Sequence, residues 1–90
     1  MKLTYINDGR GGYVIYKDDK GEIKLSFEFG SGDCIAIIFV PTLAQWTTHT
    51  GRELPNRDAI LNFVGQQAVK DQAAGGRFVL SGNYIEIFSR

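Results

Sequence analysis

Trp46, His49, Arg52 and Arg57 bring the chain's only indole, its only imidazole and two of its guanidinium groups into residues 46–57. Pro55 and Asn56 in the same stretch mark a helix start, since proline suits the first turn and asparagine can cap it. Free backbone N–H groups and the positive end of the helix dipole attract anions at such a place. These four residues are therefore the candidate ligand-binding site, a pocket for a small anion or a small substrate at a strand-to-helix connection. The same residue types also build an ordinary connection. In that reading Trp46 packs over the helix or a strand edge, Leu54 staples the helix start, and Arg52 and Arg57 pair with Glu53, Asp58 or solvent. Thr47, Thr48, Thr50 and Gly51 suit a loop, and the connection reading is the preferred one.

Other constellations are thinner. Cys34 and His49 are the only thiol–imidazole combination, but Cys34 opens an apolar strand after Asp33, which favours a small buried hydrophobe over a nucleophile. One histidine and one cysteine cannot complete a structural metal site, and Asp8, Asp18, Asp19 and Asp33 lack the spacing of a calcium loop. No metal and no cofactor is expected, and Asp18-Asp19 reads as turn chemistry. Acid–base carboxylates would have to come from Glu28, Asp33, Glu53, Asp58 or Glu86, of which Glu28 and Glu86 fall on outward strand faces. Neither GxxxxGK[ST] nor GxSxG occurs, so a P-loop and a nucleophile elbow around Ser31 are excluded. Arg10-Gly11-Gly12-Tyr13 is a faint nucleic-acid signal.

Ten basic and ten acidic residues cancel in ninety. Zero net charge argues against phosphate neutralisation as a binding principle, and it removes the repulsion that keeps copies apart. An apolar content of 43% with 22% charge is globular, and the length suits a single domain over residues 1–90. The lone cysteine fits a reducing compartment. The N-terminus has no leader pattern, and the apolar run Cys34 to Val40 is far short of the roughly 18–20 residues of a membrane span. A soluble cytoplasmic protein without a membrane partner is expected.

The elements that must position these residues follow from periodicity. Asn7 to Gly12 is dense in turn formers and separates strands at about Leu3–Ile6 and Tyr13–Lys17. Ile23, Leu25, Phe27 and Phe29 alternate with Lys24, Ser26 and Glu28, the pattern of a half-buried strand. Sequence leaves the register of the Asp18–Gly21 turn open by one residue. An even-length loop is preferred, because it puts Val14 and Tyr16 on the face of Ile23 and Leu25. Cys34 to Val40 shows no alternation, which predicts a central strand covered on both faces and ended by Pro41. Ile60, Leu61, Val64 and Ala68 make the stripe of a helix over about 56–74, stopped by Gly75-Gly76. Gly82-Asn83 as a two-residue primed turn sets Leu80 opposite Ile85 and Phe78 opposite Ile87 in a hairpin over 77–88.

The expected fold is thus α+β: an antiparallel sheet of five to six strands, one helix across one face, and a C-terminal hairpin. One helix covers one face only. The other face receives Tyr13, Ile15, Val79, Tyr84 and Phe88 in addition to part of Cys34–Val40, so these five are the candidate interface residues. An apolar patch of that kind is seldom left bare, and a homodimer is the expected cover. The leading functional expectation is a non-enzymatic protein-interaction module, binding itself or another protein. A bacterial accessory or immunity-type protein would be a short, motif-free chain of this kind. The alternative is the ligand-binding or enzymatic pocket at Trp46, His49, Arg52 and Arg57. A third reading places single-stranded nucleic acid on the outward face, over Tyr13, Tyr84, Phe88 and Arg77.

Overall fold

Period-two patterning in the first half of the chain becomes a four-strand meander. The computed structural model describes residues 1–90, beginning with β1 (Lys2–Asp8), β2 (Gly11–Asp18), β3 (Gly21–Phe29) and β4 (Cys34–Phe39). A short helix α1 (Trp46–Thr50) and a 3₁₀ turn over Leu54–Asn56 lead into α2 (Arg57–Gln72). β5 (Arg77–Leu80) and β6 (Tyr84–Phe88) close the chain. All pairings are antiparallel, and the sheet order is β1-β2-β3-β4-β6-β5. The last strand is thus inserted between β4 and β5, with α2 carrying the chain from one to the other. The α+β class, the six-stranded antiparallel sheet and the single long helix are as the patterning predicts.

Registers follow the apolar faces. Val14 lies opposite Leu25 and Tyr16 opposite Ile23, so Asp19 and Lys20 form the even-length loop, and Gly21 takes φ 127°. In the last hairpin Phe78 faces Ile87 and Leu80 faces Ile85, as expected. Its turn differs: neither Gly82 nor Asn83 has positive φ, so the pair does not form a primed turn. The cross-strand apolar pairs set this register without help from the turn.

The helix is shorter than the stripe suggested, and a second short helix occupies what reads as a loop. Asn56 makes no side-chain cap. The 3₁₀ turn supplies the missing acceptors instead, with the Asn56 N–H donating to the Glu53 carbonyl and the Arg57 N–H to that of Leu54. At the other end α2 stops at Gln72, and Gly75 takes the left-handed conformation at φ 88°.

Helix α2 lays Ile60, Leu61, Val64 and Ala68 on the face formed by Val14, Tyr16, Leu25, Ile38, Ile85 and Ile87. Tyr16 meets Phe63 edge-on, with centroids 5.7 Å apart. The small side chains of Ala36 and Ala68 leave an apolar cavity of about 280 Å³ near the end of α2, walled by Phe27 and Ile87. β4 is central, as expected, but only one of its faces is covered within the chain. Ile38 is buried under the helix, whereas Phe39 on the other side is 38% exposed. The coverage expected on both faces does not occur, because the chain has no second layer.

Gly65 marks the closest approach of helix to sheet: a methyl group there would lie 2.4 Å from the Phe78 ring. Gly65→Ala is therefore expected to lower stability by about 1–2 kcal/mol through overpacking, although alanine gains about 1 kcal/mol in an open helix. Urea unfolding followed by circular dichroism measures the sign. An unchanged or raised midpoint would show that Phe78 yields freely.

Candidate functional site

The stretch around Trp46 forms no shared pocket, since its residues are turned to different tasks. Trp46 heads α1 and is completely buried, and its indole N–H donates to the Glu53 carbonyl at 3.1 Å. The bond folds residues 46–53 back on themselves. Thr50 tightens the same bend, donating its hydroxyl to the Trp46 carbonyl at 2.7 Å and accepting the Arg52 N–H at 3.1 Å. Thr47, Thr48 and His49 stay exposed on α1.

Arg52 is buried and makes a two-pronged contact with Asp18, at 2.7 and 2.8 Å, and a third bond to the Gly21 carbonyl at 3.2 Å. Asp18 follows Tyr16 by two residues, so alternation carries it onto the helix-covered face. Its carboxylate also accepts the Tyr16 hydroxyl at 3.1 Å and the Lys20 N–H at 2.9 Å. Asp18 is thus a turn residue, as expected, and also the internal anion of Arg52. Hydrogen bonding from Arg52 holds the Asp18 carboxyl far below the usual carboxylate range, against the opposing effect of desolvation. Burial, followed by the bond to Asp18, pushes the Tyr16 hydroxyl up.

Arg57 is buried as well, at the first residue of α2. It donates to the Pro41 carbonyl from Nε at 3.3 Å and from a terminal nitrogen at 3.0 Å, and to the Gly82 carbonyl at 2.8 Å. It thereby joins the exit of β4, the β5–β6 turn and the start of α2. The contacts to Glu53 and solvent that sequence suggested for the two arginines do not form. Asp58 alone approaches Arg57, at 3.7 Å. The guanidinium groups do not converge on a common cavity.

Of the four residues, His49 borders a cleft. That cleft has a volume of about 580 Å³ and lies between the first half of β3 and the segment from Phe39 to Thr50. Cys34 opens β4 and is half-buried, with its thiol 3.6 Å from the Ala36 carbonyl. His49 borders the cleft that Phe39 lines at the other end of that strand, whose length is about 17 Å at the ordinary rise per residue.

The second candidate region is the sheet face opposite α2. Tyr13, Ile15, Val79, Tyr84 and Phe88 all lie on it, together with Ile6, Ile37 and Phe39, whose face sequence did not assign. One row runs Ile6–Tyr13–Ser26, a second joins Phe39 to Tyr84, and a third runs Glu28–Ile37–Glu86–Val79. Ile6 is 47% exposed, and Tyr13, Phe39 and Val79 are 38–39% exposed, so this apolar surface faces water. Lys24 stands 4.1 Å over the Tyr13 ring and Arg77 4.3 Å over the Phe88 ring. Glu28 and Glu86 flank Ile37 in the middle of the face, where their charges oppose a phosphate backbone. No group of acidic, histidine or cysteine side chains is arranged to hold a metal ion. No helix is long and apolar enough to cross a membrane.

Two outcomes follow from the buried arginines. A carboxylate whose folded pKa lies below its unfolded value of about 3.9 stabilises the fold above that pH and loses the contribution as the pH falls. The melting temperature is expected to drop below about pH 4, and Asp18→Asn to flatten that acid limb while lowering the midpoint at pH 7. An acid limb equally steep in the variant would assign the effect to other carboxylates. Arg57→Leu leaves the carbonyls of Pro41 and Gly82 without donors and is expected to cost about 2–4 kcal/mol in urea unfolding. Comparison with protein-family models, with curated proteins and with solved structures returns no match to this chain.

Proposed function

We propose that this chain is a small non-enzymatic interaction module that works through the open face of its sheet, with a second copy of itself as partner. The observation that carries the reading is the exposed apolar material on the side that α2 leaves bare: Ile6 and Tyr13 on β1 and β2, and Phe39 and Val79 on β4 and β5, on either side of the polar outward residues of β3. Exposed apolar patches rimmed by polar residues mark interaction sites. The charges support self-association. Lys24 and Glu28 sit on either side of Ser26 on β3, so a two-fold axis running across the strands at Ser26 would set Lys24 of one copy against Glu28 of the other. A self-complementary patch is what a two-fold interface requires. A chain of zero net charge adds no long-range repulsion. The lone thiol is compatible with a cytoplasmic setting, and the short motif-free chain with a bacterial accessory or immunity-type role.

Light scattering coupled to gel filtration tests the dimer. At tens of micromolar the mass is expected to be twice that of the chain, and Ile37→Lys is expected to return it to one. The substituted lysine would lie between Glu28 and Glu86, so the fold tolerates it while the face becomes charged. A wild-type mass of one chain overturns the self-association.

A further inference from the structure

β3 runs from Gly21 to Phe29 but pairs with β4 only through Phe27, Glu28 and Phe29. After Phe39 the chain leaves the sheet, because Pro41 has no N–H to continue a ladder and Arg57 holds the Pro41 carbonyl. The first half of β3 therefore lies inside the sheet, paired with β2 on one side and with no strand on the other. The Phe29 N–H donates to the Arg10 carbonyl on the β2 side. Antiparallel ladders alternate, so odd-numbered residues of β3 point their backbone groups at β2. The N–H and C=O groups of Glu22 and Lys24 consequently point away from it, into the cleft bordered by His49.

The geometry of that cleft specifies an occupant. One wall is the edge of Glu22 and Lys24; Phe39, which follows the Phe27–Ile38 pair and lies beside Ser26, closes one end, and Gln45 and His49 also line the cleft. From Glu22 to Leu25 is about 10 Å of extended backbone, and the volume of about 580 Å³ admits a short extended segment. On the helix side Ile23, Leu25 and Val40 offer an apolar floor. On the other side Lys24 takes part in none of the chain's ion pairs, while Glu22 is already matched by Lys17 at 3.9 Å. The outer edges of β1 and β5 also lack neighbours, but this edge alone lies within the sheet.

We propose that the cleft accepts an extended segment of a partner protein, added as a strand antiparallel to β3. Two apolar residues of that segment face Ile23 and Leu25, and an acidic residue between them lies opposite Lys24. Backbone pairing supplies the affinity, and the alternating side chains supply the selectivity. The acidic residue exchanges both backbone hydrogen bonds with Lys24, and its carboxylate forms the cross-strand partner of the ammonium group. The site shares Lys24 and Phe39 with the open sheet face: the peptide's carboxylate takes the ammonium group that Glu28 of a second copy would otherwise meet, while the backbone pairing runs along the edge of β3.

The probe is the peptide acetyl-Val-Glu-Val-Thr-amide, titrated into ¹⁵N-labelled wild-type protein and into the Ile37→Lys variant. Saturable shifts at Glu22, Lys24 and Ser26, with a Kd below about 1 mM in both proteins, are expected. Methylating the peptide's glutamate nitrogen should weaken binding at least tenfold, and methylating a valine nitrogen should leave it nearly unchanged. Lys24→Pro removes an N–H outside the β2 ladder, so the fold is expected to survive while binding is lost. Should that variant misfold, the contrast between the two methylated peptides decides alone. Absence of saturable shifts, or equal loss with both methylated peptides, overturns the proposal. Binding to Ile37→Lys but not to wild type would mean that the dimer covers the cleft, which also overturns it for the native protein.

Discussion

Two buried guanidinium groups hold together the end of the molecule where turns, strand exit and helix start converge. Burying a charge is expensive unless its hydrogen-bonding capacity is met, and here it is met from within. Arg52 takes the carboxylate of Asp18 and the carbonyl of Gly21, so the β2–β3 turn is tied to the segment after α1. Arg57 takes the carbonyls of Pro41 and Gly82, so two further chain reversals are tied to the start of α2. The bonds also fix where α1 sits, and with it the far wall of the cleft beside β3. The residues that look most like a binding site are thus spent on holding the scaffold, and His49, the one left over, faces the open space that the scaffold creates.

Much of the fold could be read from periodicity, and the reasons are local. In β2 and β3 the alternation of Val14, Tyr16, Ile23, Leu25 and Phe27 favours the register that puts all of them on one face, although the turn between Asp18 and Gly21 leaves it open by one residue. The last hairpin is legible in the same way, even though Gly82-Asn83 forms a different turn from the one its sequence suggests. Where alternation fails, so does the reading. Cys34 to Phe39 is apolar on both sides, and nothing local says that only Ile38 and its face would be covered. The short α1 escapes notice because Trp46–Thr50 carries polar residues without helical periodicity, and its stability comes from the buried indole.

The candidate site was less legible because its contacts are long-range. Asp18 and Arg52 are far apart in the chain, and several other acidic residues were equally available as partners for the guanidinium. One clue was present: Asp18 shares its alternation phase with Tyr16, so an acid at that position on the core face calls for a cation. The open face was legible by subtraction, since one helix cannot cover two sides of a sheet. Its aromatic and branched residues stand among the charges of Lys24, Glu28 and Glu86.

Trp46 is the only tryptophan, is completely buried, and donates its indole N–H to the carbonyl of Glu53. Excited at the red edge of its absorption, where the four tyrosines contribute little, this indole reports on the corner that the arginines secure. The molecule therefore carries its own optical gauge. A red shift that precedes the loss of sheet structure during unfolding would report release of this corner while the strands still hold.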